Sequence, residues 1–158
     1  MKNNQELIAK EEVVLPTKQQ ATSQQLGAAK LPLGQVFAAV SEDRSLLPSA
    51  LNGETGINRA ASGVCQLAAT NDLEAVQAWL AEFSQQEQTL RAYTKEAERL
   101  LLWCWLEAAK PLSSLNREDF AAYQEFLANP QPASRWQGSS RAPRHSEAWR
   151  PFQKGLAA

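Results

Sequence analysis

Between Asn71 and Asn129 the apolar residues recur at helical spacing. Leu73, Val76, Leu80 and Phe83 share one face with Trp79 at its edge, which predicts an amphipathic helix over 72–83. Asn71 is placed to cap it, with Glu74 three residues on in capping-box spacing. The polar run 84–88 ends that helix, and Thr89 is the expected cap of a longer one reaching about Ala109 before Pro111. Leu90, Tyr93, Ala97, Leu100, Leu101, Cys104 and Ala108 form its apolar face. A third helix is predicted after Asn116, with Asp119 completing a second box and Leu115 and Phe120 spaced as a hydrophobic staple. Phe120, Tyr123 and Leu127 give it a buried face, Phe126 lies nearby, and Asn129-Pro130 stops it.

Elsewhere the pattern weakens. Leu33, Val36, Phe37 and Val40 support one short helix near 33–41, after which Pro48, Gly53, Gly56 and Gly63 impose loop. Residues 1–30, rich in Gln and charge, hold too little apolar surface to offset the entropy of ordering and read as a disordered arm. The prolines and glycines of 131–158 leave no period, and no strand pattern or internal repeat stands out anywhere. The expected organisation is a mobile arm (1–30), a partly ordered linker (31–70), a helical bundle (71–129) and a basic, proline-rich tail (130–158).

The second half of the long helix changes this picture. Leu102 and Leu106 add apolar surface beyond its main face, and Trp103 and Trp105 flank it on other sides. Two short partner helices cannot cover such a segment. Either residues 31–60 supply the cover, or Leu102, Trp103, Trp105 and Leu106 form an interface for another protein.

With 158 residues the chain fits one domain, or a domain with a tail. Its longest apolar run, Leu100 to Leu106, has seven residues, whereas a membrane span needs about 20. The first thirty residues carry no block like a signal-peptide core, so a cytoplasmic protein with reduced Cys65 and Cys104 is expected. The net charge of −1 hides a partition: 71–130 carries five basic against ten acidic side chains, and 131–158 five basic against one acidic. Within the acidic part, Arg91, Lys95 and Arg99 follow one another at i, i+4 spacing, drifting about 40° per step, and form a basic stripe. Like charges so placed repel unless something anionic faces them, and a phosphate backbone would. The plainer alternative is a solvated face on which Glu87, Glu96 and Glu98 neutralise the stripe. In the tail, Arg135-Trp136 and Trp149-Arg150 with Phe152 interleave cations and aromatics, a mixture suited to nucleic acid. Equally, Trp136 and Trp149 could pin a loop to the helices while the arginines stay in water.

No catalytic constellation is legible. There is no glycine-rich phosphate loop, and two Cys with one His are too few and too scattered for zinc. His145 reads as a solvated loop residue, Cys104 as a small core residue, and Glu118-Asp119 as a helix start favoured by the macrodipole. No cofactor and no metal are expected.

The run Thr89-Leu90-Arg91-Ala92-Tyr93-Thr94-Lys95-Glu96-Ala97-Glu98-Arg99-Leu100-Leu101-Leu102-Trp103, followed by Lys110-Pro111-Leu112-Ser113-Ser114-Leu115-Asn116-Arg117-Glu118-Asp119, resembles the core-binding domain of the tyrosine site-specific recombinases, the phage integrase family. That family shows a Thr-x-x-x-Tyr helix start, an aromatic helix end, a short loop and a capped third helix. The tail around Asn129-Pro130-Gln131-Pro132-Ala133-Ser134-Arg135-Trp136 and Ala142-Pro143-Arg144-His145-Ser146-Glu147-Ala148-Trp149-Arg150-Pro151-Phe152 is similar to a longer loop of one bacterial subgroup. Together these cover about 71–156.

The resemblance implies an all-α, short-helix, SAM-like bundle that is incomplete here, binding double-stranded DNA as half of a clamp. It places Thr89, Arg91, Tyr93 and Lys95 at a DNA-facing helix start, with Arg99 further along; the basic tail itself offers Arg135, Arg141, Arg144 and Arg150 as candidate additional contacts. Tyr93 is expected to keep its ring in the core and bring only its hydroxyl near a phosphate. Other recombinase subunits are implied partners, a small-molecule substrate is not, and the location would be the cytoplasm, at the nucleoid when DNA is bound. The family's catalytic half has no counterpart: His145 is followed by Ser146, Glu147 and Ala148, so His-x-x-Arg is absent, and neither Tyr93 nor Tyr123 matches the nucleophile. The expectation is an integrase N-terminal part, truncated or excised, that does not cleave strands.

Overall fold

The computed structural model describes residues 27–61, 63–139 and 141–154. Most of the expected arm therefore lies outside the described residues, and its end, Gly27–Lys30, is a 3-10 turn. The helices are α1 (Leu33–Glu42), α2 (Ser49–Asn52), α3 (Asp72–Ala81), α4 (Glu87–Trp103), α5 (Arg117–Ala128) and α6 (Ala133–Trp136). Two two-residue strands, β1 (Gln137–Gly138) and β2 (Phe152–Gln153), pair in parallel. The protein is a bundle of short helices, as the periodicity implies; the strand pair departs from expectation, because two residues are too few for alternation to show.

Helix starts follow local chemistry, with two departures from expectation. At α5 the capping box is complete: Asp119 N donates to Asn116 Oδ1 and Asn116 N to Asp119 Oδ2, both at 2.9 Å. Lys110 Nζ reaches both Asp119 oxygens at 2.8 Å and, ahead of the Asn116 amide, holds that carboxyl below its ordinary range. The staple is one-sided, since Leu115 is buried and Phe120 half exposed. At α3, Asn71 Oδ1 accepts from Glu74 N at 2.9 Å, but the return bond is diverted. Thr70 N (2.6 Å) and its hydroxyl (2.8 Å) donate to Glu74 instead, holding its carboxyl at about 2, while Arg44 pairs with it from outside. The second departure is Thr89, which caps nothing: α4 begins at Glu87, and Thr89 lies in its first turn.

Beyond Trp103 the long helix widens into one π turn, Cys104–Ala108, and closes at Ala109 in the left-handed region (φ 53°). The Ala109 and Lys110 amides both donate to Cys104 O, a glycine-type helix ending built on a residue with a side chain. Ala109→Gly is therefore expected to raise stability by about 0.5–1 kcal/mol, read as a higher denaturant midpoint at unchanged slope. A lower midpoint would contradict the left-handed ending.

Side chains 101–106 are all buried, and this segment is the axis of the core. Ala28, Val36, Val40, Leu47 and Leu51 pack on it from the N-terminal side, Leu73 from α3, Leu115 and Phe126 from the α5 region, and Trp136 from α6. Residues 31–60 thus supply the missing cover. Leu102 (0% exposed), Trp103 (5%), Trp105 (1%) and Leu106 (8%) are interior, so they offer no surface to a protein partner. One other expectation changes with them: the first half of the expected linker is a layer of the bundle.

The tail also belongs to the fold. Trp136 is fully buried, and its Nε1 donates to Glu107 Oε1 at 2.6 Å. Phe126 meets Trp136 edge-on at 4.9 Å and Phe152 at 5.6 Å. At Gly34 a Cβ would lie 2.0 Å from the Arg144 carbonyl oxygen, so α1 approaches the tail backbone as closely as only glycine permits. Gln35 Nε2 adds a hydrogen bond to the His145 carbonyl at 2.9 Å.

Candidate nucleic-acid interface

The basic stripe is present on α4, but its members differ in accessibility. Arg91 is well exposed and paired with Glu87 at 2.7 Å, and Lys95 is exposed. Arg99 is turned inward with 15% of its side chain exposed. Its Nε and Nη2 donate to the Pro151 carbonyl at 3.2 and 2.8 Å, its Nη1 pairs with Glu96 at 2.8 Å, and its guanidinium lies 4.4 Å from the Phe152 ring centre. The third cation of the expected DNA face therefore fastens the tail. The stripe offers two exposed cations where the spacing suggested three.

What the stripe borders is a groove of about 510 Å³ between α4 and residues 144–151. One wall is Arg91, Thr94 and Lys95; the other is Arg144, Trp149 and Pro151; Glu98 and Arg99 also line it. Glu98 is 3% exposed, pairs with Arg144, and is the one carboxylate among four cations in this lining. It balances the tail rather than Lys95. The Arg144 guanidinium also lies over the Trp149 ring, 5.0 Å from its centre.

The remaining expected contacts separate from this groove. Tyr93, two residues from Arg91 and so about 200° round the helix, stacks on Trp79 at 5.1 Å, with Phe83 edge-on to it at 4.8 Å. Its ring is 39% exposed and lies outside the main core, and Thr89 is likewise off the groove side. Arg135 Nη1 pairs with Glu107 at 2.9 Å, and Arg150 donates to the carbonyls of Ser134, Glu147 and Trp149. These two arginines tie the tail together, while exposed Arg141 does not line the groove. Trp136 pins the tail to the helices, whereas Trp149 and Arg144 line an open recess.

Sequence reasoning missed Thr94 and met Glu98 only as a neutralising charge, though the signal for both was there. Positions 91, 94, 95, 98 and 99 follow the i, i+3, i+4, i+7, i+8 spacing of one helix face. Trp149 shows in sequence only as part of the tail's cation–aromatic mixture, and Pro151 carries no signal.

Cys104 and Tyr123 are held in unreactive settings, while Cys65 is an exposed free thiol. Burial pushes the Cys104 thiol up to about 12, and burial first, then Glu96, pushes Tyr123 to about 12. Tyr123 packs against Trp103 and Phe126, and His145 is exposed in the tail loop. Among the described residues no three His, Cys, Asp or Glu side chains gather as a metal site, and no helix is long and apolar enough to cross a membrane.

No family model, curated protein or solved structure matches the chain.

Proposed function

We propose that this chain binds double-stranded DNA through the face made by the first half of α4 and residues 144–151, as a SAM-like core-binding module of the tyrosine-recombinase kind. The observation that carries the reading is the charge around the groove: four cations and one buried carboxylate, on a domain whose helices are otherwise acidic. Arg91 and Lys95 neutralise phosphates. The Arg91–Glu87 pair is no obstacle, because both side chains are mostly in solvent and such a pair is worth little. Arg99 and Arg144 hold the tail wall in place. In this reading the chain cleaves no strand, since Tyr93 and Tyr123 are packed against other aromatic rings and burial holds the Tyr123 hydroxyl up at about 12.

Anisotropy titrations of a labelled duplex across salt concentrations test this. With two phosphates neutralised, log affinity should fall against log salt with a slope near −2, and Arg91→Ala and Lys95→Ala should each reduce it by about one. Absence of binding at low salt, or an unchanged slope in both variants, would overturn the reading.

A further inference from the structure

We infer that the groove between α4 and residues 144–151 receives one nucleotide unit, with its phosphate at the Arg91–Lys95 lip and its flat ring inside, against Trp149 and Pro151. The inference rests on the nucleic-acid reading of this face and adds what the recess itself holds.

Shape separates the two. The phosphates of an intact duplex lie on a convex rail and are met by protruding cations, which the lip alone provides. Behind that lip is a recess of about 510 Å³, within the roughly 300–1,000 Å³ of small-ligand sites and far larger than one phosphate requires.

Its chemistry is two-sided in the same way. The lip carries Arg91 and Lys95 one turn apart, and Thr94 lines the recess beside them. The opposite wall is an indole and a proline ring, and the Arg144 guanidinium over Trp149 extends the flat surface. Cations for the phosphate beside an aromatic for the base are the parts from which sites for unpaired nucleotides are made, and stacking tolerates any base. Glu98 is engaged by Arg144, and Arg99 by Glu96 and the Pro151 carbonyl, which leaves Arg91 and Lys95 at the lip as the cations for the phosphate.

A nucleotide unit can come free or as an unpaired residue of a strand, and titrations with different probes separate the sources. The ¹⁵N-labelled chain is titrated with adenosine 5′-monophosphate, a short 5′-phosphorylated thymidine oligomer, inorganic phosphate and a blunt duplex. Shifts should appear at Thr94, Lys95, Arg144 and the Trp149 indole, with phosphate at least tenfold weaker than the mononucleotide or the oligomer. An oligomer at least tenfold tighter than the mononucleotide identifies the strand as the source; equal affinities identify the free nucleotide.

Trp149→Ala should weaken binding of these nucleotide probes about tenfold. Because that change could loosen the tail, Thr94→Phe, which fills the recess from α4, is the second variant, with circular dichroism as the folding control. It should weaken them by a similar factor. Phosphate equal to the nucleotide probes, shifts centred elsewhere, or full affinity in Thr94→Phe would overturn the inference. Duplex binding with no response to mononucleotide or oligomer would overturn it too while leaving the duplex reading standing; no response to any probe removes both.

Discussion

Replacing Trp136 by Ala is expected to cost about 3–5 kcal/mol of unfolding free energy. The indole is fully buried, lies edge-on to Phe126, and donates at 2.6 Å to Glu107. Glu107 belongs to the π turn that ends the central helix, so this one side chain joins the tail to the axis of the core. Its removal empties a ring-sized space and takes from the half-buried Glu107 carboxylate one of its two donors, leaving Arg135. Trp136→Phe separates the parts: it keeps most of the ring and loses the N–H, so a smaller cost of about 1–2 kcal/mol is expected. Urea unfolding of the three proteins reads this directly. A cost under about 1 kcal/mol for the alanine variant would mean that the tail is not part of the cooperative unit.

Arg144→Ala carries the second large effect. Glu98 is 3% exposed, and its partner is the tail arginine forty-six residues away. Removing that partner leaves a carboxylate in the interior without its counter-charge, which costs about 3–5 kcal/mol when both groups are buried. Arg144 is itself about half exposed, so solvent already screens part of the attraction, and about 2 kcal/mol is the expected loss. The double variant Glu98→Gln with Arg144→Ala should recover most of it, because no charge is then stranded. A double variant as unstable as the sum of the two singles would show that the two side chains do not interact.

How much of this is legible in sequence depends on how local the deciding interaction is. The complete box at α5 can be read because both partners lie within four residues, and α1 and α3 show in their apolar spacing. Thr89 misleads because one capping bond is worth about 1 kcal/mol, and extending α4 upstream through Glu87 and Gln88 yields more backbone hydrogen bonds than it forgoes. The cover over Trp103 and Trp105 is, from sequence, one of two alternatives. Proline and glycine breaks hide that the layer is made of short pieces, each burying one or two side chains: Val36 and Val40 from α1, Leu47, then Leu51 from α2.

The candidate site is half legible for the same reason. Helical angle places Arg91, Lys95 and Arg99 on one face correctly, but angle says nothing of what covers that face. Pro151, fifty-two residues beyond Arg99, decides that Arg99 is a tie and not a contact. Tyr93 shows the reverse: its angle already sets it opposite Arg91, and the aromatic trio with Trp79 and Phe83 is what that angle leads to.

Mapping a duplex onto the folded chain tests the central claim most directly. In ¹H–¹⁵N spectra recorded at low salt, added duplex should shift the resonances of Arg91, Lys95, Arg144 and the Trp149 indole, with the shifts receding as salt rises. Trp79, Phe83 and Tyr93, on the far side of α4, should stay in place. Shifts centred on that aromatic trio, or spectra that do not respond to duplex at all, would contradict the account.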